Sequence, residues 1–247
     1  ESWSSPLRAN KYLKWQAKRD LEKMLADAQK GNYAVGAFNV ENMEMVKAVL
    51  AAAEELHAPV MLQTTPSTVK YGTLETFAAI VAAEAKKVSV PVCLHLDHGN
   101  SFELAVQAMK AGYTSVMIDG SHEDFEGNVA ITKKVADVAK AFGVPVEAEL
   151  GKVGGKEDDL EAEADTNTDP QEAKEFVERT GVTSLAIAIG TCHGIYPKDK
   201  KPELRIDILD EIKKVALAYE QIINEVCGMK RNTLEEVLKQ TGIMVAD

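Results

Sequence analysis

The sequence predicts an α/β protein built as a (β/α)8 TIM barrel, with strands seven and eight not recognisable in its 247 residues. Short apolar runs alternate with longer segments of helical period, and the runs are apolar throughout, as in strands buried on both faces of a parallel sheet. The loops are short, which favours a barrel over an open sheet. No Gly-x-Gly-x-x-Gly follows the first strand, which disfavours a dinucleotide-binding fold. We expect one barrel domain over residues 1–247.

Six strands are predicted, with helices before and after them. The strands fall at residues 33–38, 59–63, 90–96, 114–118, 145–150 and 183–189. The helices fall at 17–29, 41–56, 74–87, 102–111, 128–142, from 170 onward, and at 206–218. Gly31 stops the first helix, and Pro170 suits the first position of its own helix. Beyond these units, helices are predicted at 215–227 and 233–240, with one weak strand at 243–246.

Composition excludes several classes of protein. The chain carries 28 Lys and Arg against 39 Asp and Glu, a formal net charge of −11, which argues against a nucleic-acid partner. No apolar run reaches the ~18 residues of a membrane span, and we expect no membrane association. Three cysteines without a Cys-x-x-Cys pair, and no targeting signal, predict a cytoplasmic protein. An anionic small substrate remains compatible with the charge.

Polar residues gather where the predicted strands end, which is where barrel enzymes have their active sites. Three of the five histidines and three carboxylates fall at this rim: His95, His98, His193, Asp97, Asp119 and Glu149. Two histidines with carboxylates at an open mouth suit a zinc site with vacant positions for a substrate. This pattern predicts a metal-dependent enzyme.

Each of these residues also has a plainer interpretation. His95 lies inside a strand, where a hydrogen-bonded core histidine is common. Asp119 and Gly120 are compatible with a simple turn. Glu147 is expected to face a different environment from Glu149, and the glycine-bearing loop at 151–159 is compatible with a solvated loop. Cys192 lies next to His193, but no arrangement of a base with an orienting group supports a nucleophilic thiol there.

Six motifs in order carry a family resemblance. They are Tyr-Ala-Val-Gly-Ala-Phe-Asn at 33–39, Leu-His-Leu-Asp-His-Gly at 94–99, Ser-Val-Met-Ile-Asp-Gly-Ser-His at 115–122, Val-Glu-Ala-Glu-Leu-Gly at 146–151, Gly-Gly-Lys-Glu-Asp-Asp at 154–159 and Ala-Ile-Gly-Thr-Cys-His-Gly at 188–194. Together they resemble the class II, zinc-dependent ketose-1,6-bisphosphate aldolases, in the fructose- and tagatose-bisphosphate branch. The resemblance covers roughly residues 20–213, and six ordered motifs are far more specific than one.

The resemblance implies a role for each rim residue. His98 and His193 would be zinc ligands, and Asp119 and Glu149 would help organise the metal. Asp97 would be the acid/base at the C4 hydroxyl, and Glu157 on the glycine loop would shuttle a proton on dihydroxyacetone phosphate. Asn39 and Thr65 would contact substrate, and Gly194 would bind phosphate through its backbone. The implied cofactor is Zn²⁺, with a monovalent cation as a further one.

Zinc would act as a Lewis acid on the charge that develops when the bond beside the ketone breaks. The implied reaction is reversible cleavage of fructose or tagatose 1,6-bisphosphate to dihydroxyacetone phosphate and glyceraldehyde 3-phosphate. The implied partners are this phosphorylated ketose and further copies of the chain, as a dimer or tetramer. Two alternatives remain open. One is a non-catalytic homologue or scaffold subunit of an aldolase complex, and the other is an aldolase for another phosphorylated ketose.

The sequence departs from the family pattern near its ends. The family supplies a third zinc histidine from strand seven and phosphate ligands from strand eight, and residues 215–247 contain no histidine. Residues 1–18 are also atypical. Three explanations compete: a segment of a longer chain is omitted, a variant completes its core by oligomerising, or the homologue has lost catalysis. The first is favoured because an incomplete barrel exposes sheet edges.

Overall fold

The computed structural model describes residues 21–31, 33–157, 160–162, 167–193, 203–215 and 219–221. The helices are α1 (Leu21–Gly31), α2 (Met43–Glu55), α3 (Pro66–Gly72), α4 (Leu74–Glu84), α5 (Phe102–Ala111), α6 (Phe125–Phe142), α7 (Pro170–Thr180) and α8 (Ile206–Val215), with a 3₁₀ turn at Ala85–Lys87. The strands are β1 (Gly36–Asn39), β2 (Val60–Thr64), β3 (Val92–Leu96), β4 (Ser115–Ile118), β5 (Val146–Leu150), β6 (Gly154–Glu157), β7 (Leu160–Ala162), β8 (Ser184–Ile187), β9 (Cys192–His193) and β10 (Tyr219–Gln221).

Seven of these strands form one parallel sheet in the order β1-β2-β3-β4-β5-β8-β10. Apart from the segment that holds β6, β7 and β9, each strand of this sheet pairs with the next strand along the chain. Each pair of parallel strands is joined by a crossover connection that contains at least one helix. Strands β7, β6 and β9 form a second, three-stranded sheet. All seven strands of the main sheet therefore end at the same rim.

The two faces of the main sheet bury different residues, because side chains alternate along a strand. One face carries Leu62, Leu94 and Val116 and packs against the helices in the larger apolar core. The other face, here called the inner face, carries Met61 and Cys93 near the start of β2 and β3. These two side chains pack against Leu21 and Met24 of α1 in a separate cluster. Helix α1 thus covers the inner face at the end opposite the rim.

The helices begin and end at residues suited to those positions. The side chains of Asn42, Ser101, Asp124 and Asp169 accept hydrogen bonds from backbone N–H groups in the first turns of α2, α5, α6 and α7. Glycines in the left-handed conformation follow α5, α6 and α7. None of the helices in these ranges has both the length and the apolar composition that crossing a membrane requires.

The predicted fold class is confirmed, since six strands and their parallel order appear as expected. Two parts of the prediction were wrong. Residues 219–221 form strand β10 beside β8, where a helix over 215–227 was predicted. Helix α8 is Ile206–Val215 within the described residues. The loop predicted at 151–169 contains the hairpin of β6 and β7. The helix predicted at 233–240 and the strand at 243–246 lie outside the described residues.

Gly99, at the rim after β3, cannot carry a side chain without displacement of backbone. A Cβ atom there would collide with the carbonyl oxygen of Met117, while the Gly99 carbonyl accepts a hydrogen bond of 2.9 Å from the N–H of Asp119. We expect Gly99→Ala to lower the free energy of unfolding by about 2 kcal/mol, as overpacking does. Urea unfolding of the metal-free chain measures this change.

Gly127→Ala is the matched control for that measurement. Its Cβ would meet only side-chain atoms, at 3.1 Å or more, and alanine is the better helix former. We expect this variant to change the unfolding free energy by less than about 1 kcal/mol. Equal losses in the two variants would contradict the close packing described at Gly99.

Candidate metal centre and active site

Three side chains converge at the rim from three neighbouring strands. His98 follows β3, Asp119 follows β4 and Glu149 is near the end of β5. His98 Nδ1 lies 3.1 Å from Asp119 Oδ2 and 3.8 Å from Glu149 Oε2. One ligand atom from each of the three lies within 4.8 Å of the others. These residues are called the metal cluster below.

His193, in β9, lies beside this cluster. Its ring centroid lies 5.3 Å from that of His98, with the rings at 73° in an edge-to-face arrangement. Strand β9 is held there by β6, since Gly154 pairs with Cys192 and Gly155 with His193. The second sheet therefore carries the fourth predicted ligand to the rim.

His98 occupies an unusual backbone conformation. Its φ angle is +46°, in the left-handed region that non-glycine residues rarely adopt. Such conformations cost of order 1 kcal/mol or more and persist where the surroundings over-determine them. The hydrogen bond from the Asp119 N–H to the Gly99 carbonyl holds the chain on the C-terminal side of His98. The backbone strain indicates that the surrounding structure holds the His98 side chain in one direction, toward Asp119 and Glu149.

The two carboxylates of the cluster have opposite pKa shifts because their neighbours differ. Burial and the neighbouring Asp119 carboxylate raise the pKa of Glu149 to about 8. Burial also acts against the Asp119 carboxylate, but the hydrogen bond and charge of His98, together with hydrogen bonds from Ser121, lower the pKa of Asp119 to about 2. At neutral pH the metal-free cluster thus holds an extra proton on Glu149.

The metal cluster fits a divalent cation. Glu149 Oε2 is buried and has no hydrogen-bond partner within the described ranges, which is costly for a carboxylate oxygen unless a ligand satisfies it. One imidazole, two carboxylates and a second imidazole nearby are the donor set typical of zinc and similar divalent ions. The residues present therefore match the group that the sequence predicts.

Asp97 lies directly before His98 and is 6% exposed. Its N–H donates a hydrogen bond of 3.0 Å to the carbonyl of Thr64, which ties the rim of β3 to that of β2. It occupies the inner face two residues beyond His95, so its carboxylate belongs to the same buried group of charges as Glu147 and Glu149. An acid/base group beside the metal cluster is thus available.

The predicted substrate-contacting residues lie on β1 and after β2. Asn39 ends β1, pairs with Gln63 and is half-buried. Thr65 is buried, and its hydroxyl contacts the hydroxyls of Ser67 at 3.0 Å and Thr68 at 3.2 Å. Both positions are at the same rim as the metal cluster. Their hydroxyl and amide groups can donate hydrogen bonds to an oxygen-rich ligand.

The structure describes only the backbone of one predicted site residue, Glu157, and does not describe another, Gly194. Glu157 ends β6, and its backbone pairs with Leu160, two positions along the strand from the Gly155–His193 pair. The loop that carries it is thus attached to the strand of His193. Gly194 lies outside the described residues.

The structure corrects the expectation for Glu147 and adds one residue that the sequence analysis missed. Glu147 Oε2 lies 3.4 Å from His95 Nε2, so Glu147 is on the inner face like Glu149, as the two-residue period of a strand dictates. The missed residue is Asn128 in α6, whose amide donates a 2.8 Å hydrogen bond to the Glu149 carbonyl. A buried asparagine inside an amphipathic helix was the available signal.

The chain was compared with known protein families, and the model of class-II fructose-bisphosphate aldolases matches residues 19–236. The chain belongs to this family. It is 49% identical over 197 residues to a Bacillus subtilis protein named as a probable fructose-bisphosphate aldolase, with 78% of this chain and 68% of that protein covered. It is 45% identical over 197 residues to the Giardia intestinalis fructose-bisphosphate aldolase, with 79% of this chain and 60% of that protein covered.

The fold of the family is also evident among solved structures. The YdjI aldolase of Escherichia coli K12 superposes with a TM-score of 0.70 at 36% identity, covering 81% of this chain and 70% of that one. These similarities confirm the predicted family and favour a catalytic aldolase over a non-catalytic homologue. The chain spans only 60% to 68% of the length of the two curated relatives. The family is in general metal-dependent, which agrees with the metal cluster.

Metal binding by this cluster should release a proton. Below pH 8 the metal-free chain carries a proton on Glu149, and a cation needs the carboxylate, so binding displaces that proton. The apparent affinity for Zn²⁺ should therefore rise with pH, by up to about tenfold per unit for one proton, and level off above about pH 8. Calorimetry in two buffers of different ionisation enthalpy counts the protons released.

Glu149→Gln is the control for proton release, because the amide has the shape of the acid but no proton to lose. We expect the variant to release about one proton fewer at pH 7 and to bind Zn²⁺ more weakly. An unchanged proton count would contradict the raised pKa of Glu149.

Proposed function

We propose that this chain is a metal-dependent aldolase that reversibly cleaves a ketose 1,6-bisphosphate to dihydroxyacetone phosphate and glyceraldehyde 3-phosphate. The observation that carries the proposal is the metal cluster with Asp97 directly before His98, in a chain of the class-II fructose-bisphosphate aldolase family. The names of the curated relatives favour fructose 1,6-bisphosphate as substrate, and tagatose 1,6-bisphosphate is the natural comparison.

Zn²⁺ is the metal we propose, held by His98 and His193 with Asp119 and Glu149. The two carboxylates are the further donors that the described cluster offers beside the histidines. A bound divalent ion would polarise the substrate carbonyl and stabilise the negative charge that develops when the adjacent bond breaks. A monovalent cation near the phosphates is a further proposed cofactor.

Asp97 is the proposed acid/base. During cleavage it accepts the proton of the C4 hydroxyl while the electron pair of the C3–C4 bond moves toward the carbonyl side of the substrate. In the condensation direction it returns that proton to the aldehyde oxygen. Its burial beside the metal cluster keeps water from competing for the proton.

The remaining predicted residues would bind the substrate and carry out the second proton transfer. Glu157 would exchange a proton with dihydroxyacetone phosphate from its position on the glycine-bearing loop, which can close over substrate. Asn39 and Thr65 would hold substrate oxygens, and Gly194 would offer its N–H to a phosphate. We further propose a cytoplasmic protein that assembles as a dimer or tetramer.

A coupled assay tests the function directly. The Zn²⁺-loaded chain is supplied with fructose or tagatose 1,6-bisphosphate, and release of the two triose phosphates is followed. We expect cleavage that a chelator abolishes and added Zn²⁺ restores. If the chain binds metal but cleaves neither bisphosphate, the aldolase proposal is refuted. If it binds no metal, the scaffold alternative is favoured.

Asp97→Ala separates chemistry from metal binding. Because Asp97 is proposed to move a proton rather than to bind the metal, the variant should keep its Zn²⁺ and lose about 10²–10⁴-fold in kcat. Metal content by atomic absorption and turnover by the same assay decide the question. Turnover close to that of the unsubstituted chain would show that Asp97 is not the acid/base of the reaction.

A further inference from the structure

A buried asparagine of helix α6 lies where the ladder between β4 and β5 ends. The two strands pair as far as Ile118 and Ala148, and the next residue of each chain segment is a carboxylate of the metal cluster. Asn128 is 3% exposed, and its Nδ2 donates a hydrogen bond of 2.8 Å to the carbonyl of Glu149. A side chain thus takes over from backbone pairing at the level of the metal ligands.

The oxygen of the same amide packs against the turn after β4. A Cβ atom on Gly120 would collide with Asn128 Oδ1, although the φ angle of Gly120 is not in the left-handed region. Glycine is therefore required here for close approach and not for backbone conformation. Because Gly120 directly follows Asp119, the amide of Asn128 lies against the chain beside one carboxylate ligand and bonds to the backbone of the other.

The orientation of the Asn128 amide is determined by its two partners. The carbonyl of Glu149 can only accept a hydrogen bond, so the amide must present its nitrogen there. Its oxygen then faces Thr132, a fully buried residue of the same helix, whose hydroxyl donates a hydrogen bond of 3.1 Å to it. Both polar atoms of the buried amide therefore have a partner, as burial requires.

The two carboxylates of the metal cluster are held in different ways. Asp119 Oδ2 lies 3.1 Å from His98 Nδ1, and its Oδ1 accepts a hydrogen bond of 3.0 Å from the N–H of Ser121. By contrast, Oε2 of Glu149 has no hydrogen-bond partner within the described ranges. Its position therefore depends on the main chain of Glu149, which Asn128 holds on the side of β4 and the ladder with β8 holds on the other.

We propose that Asn128 is a positioning residue that sets the separation of the two carboxylate ligands, Asp119 and Glu149, and thereby the affinity of the site for its metal. The inference rests on the proposed metal site and deepens it. A divalent ion binds most tightly where its ligands already stand in the binding geometry, because a site that must first rearrange loses part of the binding free energy to that movement.

An asparagine with a purely structural role would affect folding and leave the metal site unchanged. Loss of a buried hydrogen bond lowers the free energy of unfolding under either interpretation, so stability alone does not separate them. The Kd of the folded chain for a metal does not depend on the stability of the fold as long as almost all molecules are folded. Metal affinity measured beside stability therefore distinguishes the two roles.

Asn128→Leu and Thr180→Val form the matched pair that tests the inference. Leucine keeps the branched shape of asparagine and removes both of its hydrogen bonds. Thr180, at the end of α7 opposite the rim, is 1% exposed, and its hydroxyl donates a hydrogen bond of 2.7 Å to the carbonyl of Phe176. Valine keeps the shape of that threonine and removes its bond.

The full chain is loaded with Co²⁺, whose visible absorption reports coordination geometry without turnover. The Kd for Co²⁺ is measured by competition with a chelator, and the stability of the metal-free chain is measured by urea unfolding.

For Asn128→Leu we expect a Kd for Co²⁺ that is higher by about tenfold or more, and a changed visible spectrum at saturating Co²⁺. The reason is that Asp119 and Glu149 are no longer held at the separation that the metal requires. Thr180→Val should lower the urea midpoint but leave the Kd and the spectrum unchanged. Thr132→Val should raise the Kd by less than Asn128→Leu, because the amide keeps its bond to Glu149 but is less firmly oriented.

An unchanged Kd in Asn128→Leu, or an equal rise in Asn128→Leu and Thr180→Val, would overturn the inference. If Asn128→Leu is unfolded by circular dichroism, Asn128→Ser replaces it, because the serine hydroxyl ends one bond short of the amide nitrogen, and the same rise in Kd is expected. Co²⁺ bound by the unsubstituted chain without cleavage of either bisphosphate would refute the proposed function and leave this inference standing. An unsubstituted chain that binds no Co²⁺ would overturn both.

Discussion

Four carboxyl groups share the inner face of one parallel sheet, and keeping their charges compatible is the constraint on which the site depends. Asp97, Asp119, Glu147 and Glu149 all lie where little water reaches, so each must be protonated, paired or bound to a cation. The structure uses these means together: His98 pairs with Asp119, and Glu149 keeps a proton until a metal replaces it.

The same strands provide both the core and the site, because side chains alternate between the two faces. On β3 the outward residues Leu94 and Leu96 pack against helices, and the inward ones change from Cys93 in the apolar cluster with α1 to His95 and then Asp97. The inner face is therefore graded, from apolar side chains at one end, through buried polar side chains, to the metal cluster at the rim.

Much of this could be predicted from the sequence. Apolar runs marked the six strands, and in a parallel sheet the residues after them had to meet, which brought Asp97, His98, Asp119 and Glu149 together. Strand β10 could not be predicted, since Tyr-Glu-Gln at 219–221 has no apolar run and owes its strand conformation to pairing with β8. The place of Glu147 could have been predicted from the two-residue period alone.

The left-handed backbone at His98 also bears on how this protein would change under selection. Glycine adopts that conformation without penalty, but His98→Gly would also leave the buried Asp119 carboxylate without the imidazole that pairs with it. A library screened for resistance to heat or protease would therefore be expected to retain this histidine in spite of its backbone strain. The charge pair that the metal cluster provides thus opposes the relief of strain at this one residue.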